Sequence, residues 1–110
     1  MSMVVTIEDR LVNALGAFGD LQETANTALR RYAVEMIGDK IASLRAKDKE
    51  WEKQYGCDYD SFVERISNDL EFVKRLHRER PTWEPDLIDW EFCHEGVKDW
   101  TQELERVLAG

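Results

Sequence analysis

Between Leu21 and Tyr55 the chain sets apolar residues at Leu29, Ala33, Ile37, Ile41, Leu44, Trp51 and Tyr55, with Asp48 filling the one gap in the series. Steps of three and four put these positions on one side of an α-helix. Arg30, Glu35, Asp39, Lys40, Arg45, Lys47, Lys49 and Lys53 occupy the other side, and no proline interrupts the run. A continuous helix over this stretch would be about 50 Å long at the α-helical rise. So short a chain is not expected to hide such a stripe by itself. Another helix, another subunit or another protein has to cover part of it, which points to association before it points to chemistry.

The remaining composition suits one small helical domain with an arm. In 110 residues, 43% are apolar, enough for a core, and 35% are charged, enough for solvated helix faces. Two prolines and six glycines leave little room for a many-turned β fold. No run of eighteen apolar residues offers a membrane span. Met1 to Arg10 lacks the basic start and apolar core of a secretion signal, so the cytoplasm is the expected location. Two cysteines, Cys57 and Cys93, are too few for a disulfide framework and read as free thiols.

Net charge is −8, and its distribution matters more than its sum. Residues 81–110 hold Lys98 and Arg106 against Glu84, Asp86, Asp89, Glu91, Glu95, Asp99, Glu103 and Glu105, so −6 of the −8 lies there. The same segment carries Trp83, Trp90, Phe92 and Trp100. Such a surface repels nucleic acid and attracts basic proteins.

Along the chain, Met3-Val4-Val5-Thr6-Ile7 reads as a single strand, which needs a partner strand, most simply its own copy in a second subunit. A first helix opens at Glu8-Asp9 with Leu11, Val12, Leu15 and Phe18 on its apolar face. Gly19-Asp20 turns the chain and Asp20 caps the long helix, which Gly56 ends. Asp58 or Asp60 starts another helix with Phe62, Val63, Ile66, Leu70, Val73 and Leu76 on one face, stopped by Pro81. Thr82 is the expected cap of a last helix carrying Leu87, Trp90, His94, Val97 and Leu104, with Pro85 tolerated in its first turn. The expected fold is mainly α: one short N-terminal strand, a possible intersubunit ribbon, then one long helix and C-terminal helices. Trp51, Tyr55 and Phe62 are expected to form an aromatic cluster that folds the arm back.

Two stretches carry a resemblance. Residues 3–37, a strand, a short helix, a Gly-containing turn and TANTALRRYAVEMI, resemble the ribbon-helix-helix fold of antitoxin proteins. WEKQYGCDYDSFVERI (51–66) and DLIDWEFCHEGVKDWTQELERV (86–107) resemble the C-terminal half of small bacterial and archaeal toxin–antitoxin antitoxins. The resemblance implies a dimerising part, residues 1–37, joined through Met3, Val5, Ile7, Leu29 and Ile37. It also implies a helical arm, residues 38–110, that neutralises a cognate toxin, often ribonuclease-like. In such ribbons the outward side chains, here Ser2, Val4 and Thr6, enter the DNA major groove. None of the three is basic or an amide, the types that make the strongest base contacts, so the ribbon is expected to act as a dimer joint.

The residues expected to meet the toxin are Trp83, Trp90, Phe92 and Trp100, with Glu91 and Glu95: aromatic anchors in an acidic helix facing a basic groove. Two rivals stand beside this reading. A magnesium-dependent all-helical nucleotide hydrolase would use carboxylate pairs such as Glu91 and Glu95, but the paired Glu-x-x-Glu spacing on a second helix is missing. A helical adaptor or assembly subunit would need only the stripe. His77, His94, Cys57 and Cys93 lack the local pairing of a zinc site, so no metal and no cofactor is expected.

Overall fold

The computed structural model describes residues 4–110 and forms five helices among them: α1 (Asp9–Gly16), α2 (Leu21–Tyr55), α3 (Tyr59–Asn68), α4 (Leu70–Glu79) and α5 (Trp83–Ala109). The mainly α class stands. The ends of α2 follow their caps. Asp20 Oδ1 accepts the amide of Glu23 at 2.9 Å, and Gly56, at φ +73°, returns its own N–H to the Glu52 carbonyl. A left-handed residue at that position is easiest for glycine.

The N-terminal strand is a correction. Val4, Val5, Thr6 and Ile7 form no strand among the described residues, and Val5 and Ile7 are exposed; Met3 and Ser2 lie outside the described residues. A lone strand has no ladder for its N–H and C=O groups, and one copy of this chain supplies none.

A second correction concerns the face expected from Phe62 to Leu76, which is two helices and not one. Asp69 is extended (φ −126°, ψ 94°) and its side chain caps the Phe72 amide at 3.1 Å. Ser67 and Asn68 before it bond back to the carbonyls of Val63 and Glu64, so three short polar side chains in a row compete with the helix ladder. The break resets the register: Phe72 turns inward and Leu70, expected inside, is 67% exposed.

The long stripe is covered from within. α5 runs back antiparallel along α2, so Tyr55 meets Asp86, Asp48 meets Trp90 and His94, and Arg30 reaches the Gly110 carbonyl at 2.9 Å. From Tyr55 back to Arg30 α2 covers 25 positions while α5 advances 24, from Asp86 to Gly110. α3 and α4 close the far end, where Phe62, Phe72, Leu76 and Trp90 form the buried core with Trp51, Tyr55, Tyr59, Ile66, Trp83 and Leu87 packed around it. The aromatic cluster includes the expected contacts, Tyr55 to Phe62 at 4.9 Å and Trp51 to Tyr55 at 6.3 Å between centroids.

The result is a rod of 67 × 24 × 21 Å with a radius of gyration of 21.7 Å, against about 13 Å for a compact domain of 100 residues. The core sits at one end. At the other, α1 leans on the start of α2 and leaves Phe18, Leu29, Tyr32 and Met36 exposed. α2 passes from residue 37 to 38 without a break, so the expected dimerising part and arm share one helix.

Gly96 lets the two long helices meet. A Cβ there would stand 2.9 Å from Leu44 Cδ1, and Leu44 is itself buried. Gly96→Val is therefore expected to force the pair apart and to destabilise the fold by about 1–3 kcal/mol, the usual penalty of overpacking. Denaturant unfolding reads it; unchanged stability would mean that the helices are not in contact at this level.

Candidate partner-binding surface

The gap in the stripe proves to be a pin. Asp48 Oδ1 accepts the Trp90 indole N–H at 2.7 Å, and its Oδ2 lies 3.2 Å from His94 Nδ1. Trp90 is fully buried and Asp48 lies among half-buried surroundings. Burying an indole leaves its N–H in need of an acceptor, and the carboxylate supplies one from the opposite helix. His94 is stacked on Tyr59 at 4.6 Å, which ties α3 to the same point, and its Nε2 is buried without a hydrogen-bond partner. Nothing in the periodicity alone marks Asp48 as structural. A carboxylate in the middle of an apolar stripe is the signal that could have marked it.

A second polar tie closes the far end. The Tyr55 hydroxyl donates to Asp86 Oδ2 at 2.5 Å, the Thr82 hydroxyl donates to the same oxygen at 3.3 Å, and Thr82 makes no cap bond of its own. Arg80 donates to the carbonyl and side chain of Gln54 and lies 4.6 Å above the Tyr55 ring. Burial, then the bond to Asp86, push the Tyr55 phenol up to about 12. A pKa raised above its ordinary 10.0 means that folding holds the proton, so this stabilisation is complete below pH 10 and disappears as pH climbs to about 12. Unfolding free energy is expected to decline over that interval, and Tyr55→Phe to flatten the decline. An identical alkaline slope in the variant would remove Tyr55 as its source.

The structure separates the residues expected at the interface. Trp90 is at the centre of the chain's own core, not on its surface. Trp83 is half-buried, its indole N–H donating to His77 Nδ1 at 3.3 Å. Phe92 is 69% exposed and Trp100 37%. Glu91 is exposed, and Glu95 pairs with Lys98 at 3.5 Å. Ile88, 67% exposed one turn before Phe92, was missed by the sequence reading, and so was Asp99 one turn after Glu95. Their signal was there: 88 and 92, and 91, 95, 99 and 103, are series of four-residue steps. On the side of α5 away from the core, two apolar side chains are thus followed by an acid ladder.

The expected dimerisation residues fall at the other end of the rod. Leu29 and Val5 are exposed and Ile37 is half-buried. Cys57 and Cys93 are free, and burial pushes both thiols up, away from the reactive thiolate. Among the described residues no three His, Cys, Asp or Glu side chains gather to hold a metal ion, and no helix is long and apolar enough to cross a membrane. No family model, no curated protein and no solved structure matches the chain.

Proposed function

We propose that the chain is an antitoxin-like protein of the cytoplasm that binds a cognate basic toxin and inhibits it by occupying its surface. One observation carries this reading: α5 presents Ile88 and Phe92 to solvent beside Glu91, Glu95, Asp99 and Glu103. Like charges four apart weaken a helix by about 0.2–0.5 kcal/mol per pair, and only Lys98 and Arg106 offset them on the same helix. An apolar anchor beside acid that two basic side chains only partly offset suits capture of a basic protein and needs no cofactor. The exposed Phe18, Leu29, Tyr32 and Met36 at the other end suit a homodimer. Any contact with DNA through Val4 and Thr6 would require a ribbon formed with that second copy.

The reading expects a small basic reading frame next to this gene, and the experiment is its expression. Alone it is expected to arrest growth, and co-expression of this chain to restore growth with recovery of a stable complex. A neighbour that is harmless alone, or that stays lethal beside this chain, would reject the reading.

A further inference from the structure

The seam between α2 and α5 has one closed side and one open side. α3 closes the first, with Tyr59 stacked on His94. On the second, past Cys93, two adjoining hollows of about 350 and 390 Å³ share Phe92 as their common wall. Their floor is Trp51 and Cys93 in the first and Leu44 with Gly96 in the second; Trp100 forms the far wall. From Ile88 to Trp100 the groove follows α5 for about 18 Å at the helical rise, which a four-turn helix would span.

We infer that this groove receives a basic amphipathic helix of the partner, completing a three-helix packing with α2 and α5. The inference rests on the proposed capture of a basic protein and names the surface that performs it. A helix fits because it satisfies its own backbone; a strand laid here would find no sheet edge for its N–H and C=O groups. Leu44 packs against Gly96 beneath the second hollow, so that part of the floor is apolar. Charge selects the occupant. On the α2 rim Lys47 and Glu50 offset each other, whereas the α5 rim brings Asp89, Glu91, Glu95 and Asp99. Lys and Arg on the incoming helix therefore face α5, and its apolar side chains settle around Phe92 and over Gly96. A second copy of this chain brings its own −8 to the contact and is the poorer match.

The test is titration of the full chain with a synthetic four-turn peptide, leucines on one face and lysine and arginine elsewhere, read by calorimetry. Two control peptides carry the leucines scrambled or the cations replaced by glutamate. Phe92→Ala and Asp99→Lys alter exposed side chains, and their folding is checked by circular dichroism. The amphipathic basic peptide is expected to bind, each variant to weaken it by about tenfold or more, and both controls to lose at least as much. Equal binding of the scrambled peptide, no binding of any peptide, or indifference to Phe92→Ala overturns the inference. So does a dimer that Phe92→Ala dissolves, because a second copy then fills the groove. The two readings fail separately. A harmless neighbouring gene rejects the antitoxin and leaves a peptide-binding groove standing. Rescue of growth that is unaffected by both variants rejects the groove and leaves the antitoxin standing.

Discussion

Replacing Trp90 with alanine is expected to lower stability by about 3–5 kcal/mol, the range for emptying a large aromatic site in a core. The ring is fully buried, it packs on Tyr55 and Phe62 at 5.7 and 5.4 Å between centroids, and it meets Tyr59 edge-on at 5.6 Å. Those partners come from α2 and α3 and the ring itself from α5, so the loss loosens the three helices together. Trp90→Phe separates the ring from its polar handle. It keeps most of the apolar contact but leaves Asp48 without the indole donor, and should fall by about 1–3 kcal/mol. Chemical denaturation distinguishes the two. If Trp90→Ala proved as stable as the parent, the indole would not be holding the hairpin.

Removing residues 81–110 should have a larger effect still. Read from the sequence, that segment is the acidic end of the partner-binding arm, whose loss should abolish toxin binding and leave a dimer. In the fold it is the lid on α2. Without it Ile41, Leu44, Trp51 and Tyr55 lose their cover, and Phe62 loses Trp90. Burying one large aliphatic or aromatic side chain contributes about 1.5–3 kcal/mol, and a protein's whole margin is about 5–15 kcal/mol. The 1–80 fragment is therefore expected to lose cooperative thermal unfolding and to associate through the bared stripe. Circular dichroism and sedimentation measure both. A fragment that melts as sharply and as high as the parent would show that α5 adds nothing to the core.

The contrast shows what the residue pattern carries and what it does not. Asp20 and Gly56 state the ends of α2, because a cap is a local device of a few neighbouring groups. The apolar period states that α2 has a face. Neither says what lies on that face, since the match between α2 and α5 is made by residues about forty apart, Asp48 with Trp90 and His94. Hence the stripe read as needing cover from another helix, subunit or protein, when α5 of the same chain covers it in part, burying Ile41 and Leu44 and leaving Leu29 exposed. The same blindness moved Trp90 from surface to core. Asp69 failed differently: a helical period running through 62 to 76 concealed a capping residue whose local bond outweighs continuity. The strand at Val4–Ile7 expressed β-branched composition alone, and composition cannot provide a second strand. What stayed legible on α5 is the exposure of Phe92 and Glu91, because it is decided on that helix itself.

α5 lies folded onto α2 in the chain alone, and its outer face is what remains for recognition. Hydrogen exchange followed residue by residue on the isolated chain tests this most directly. Amides of α5 from Trp90 to Leu104 are expected to exchange as slowly as those of α2 from Ile41 to Tyr55, in one cooperative opening. Exchange of α5 at the rate of an unfolded chain, with α2 protected or not, would contradict it.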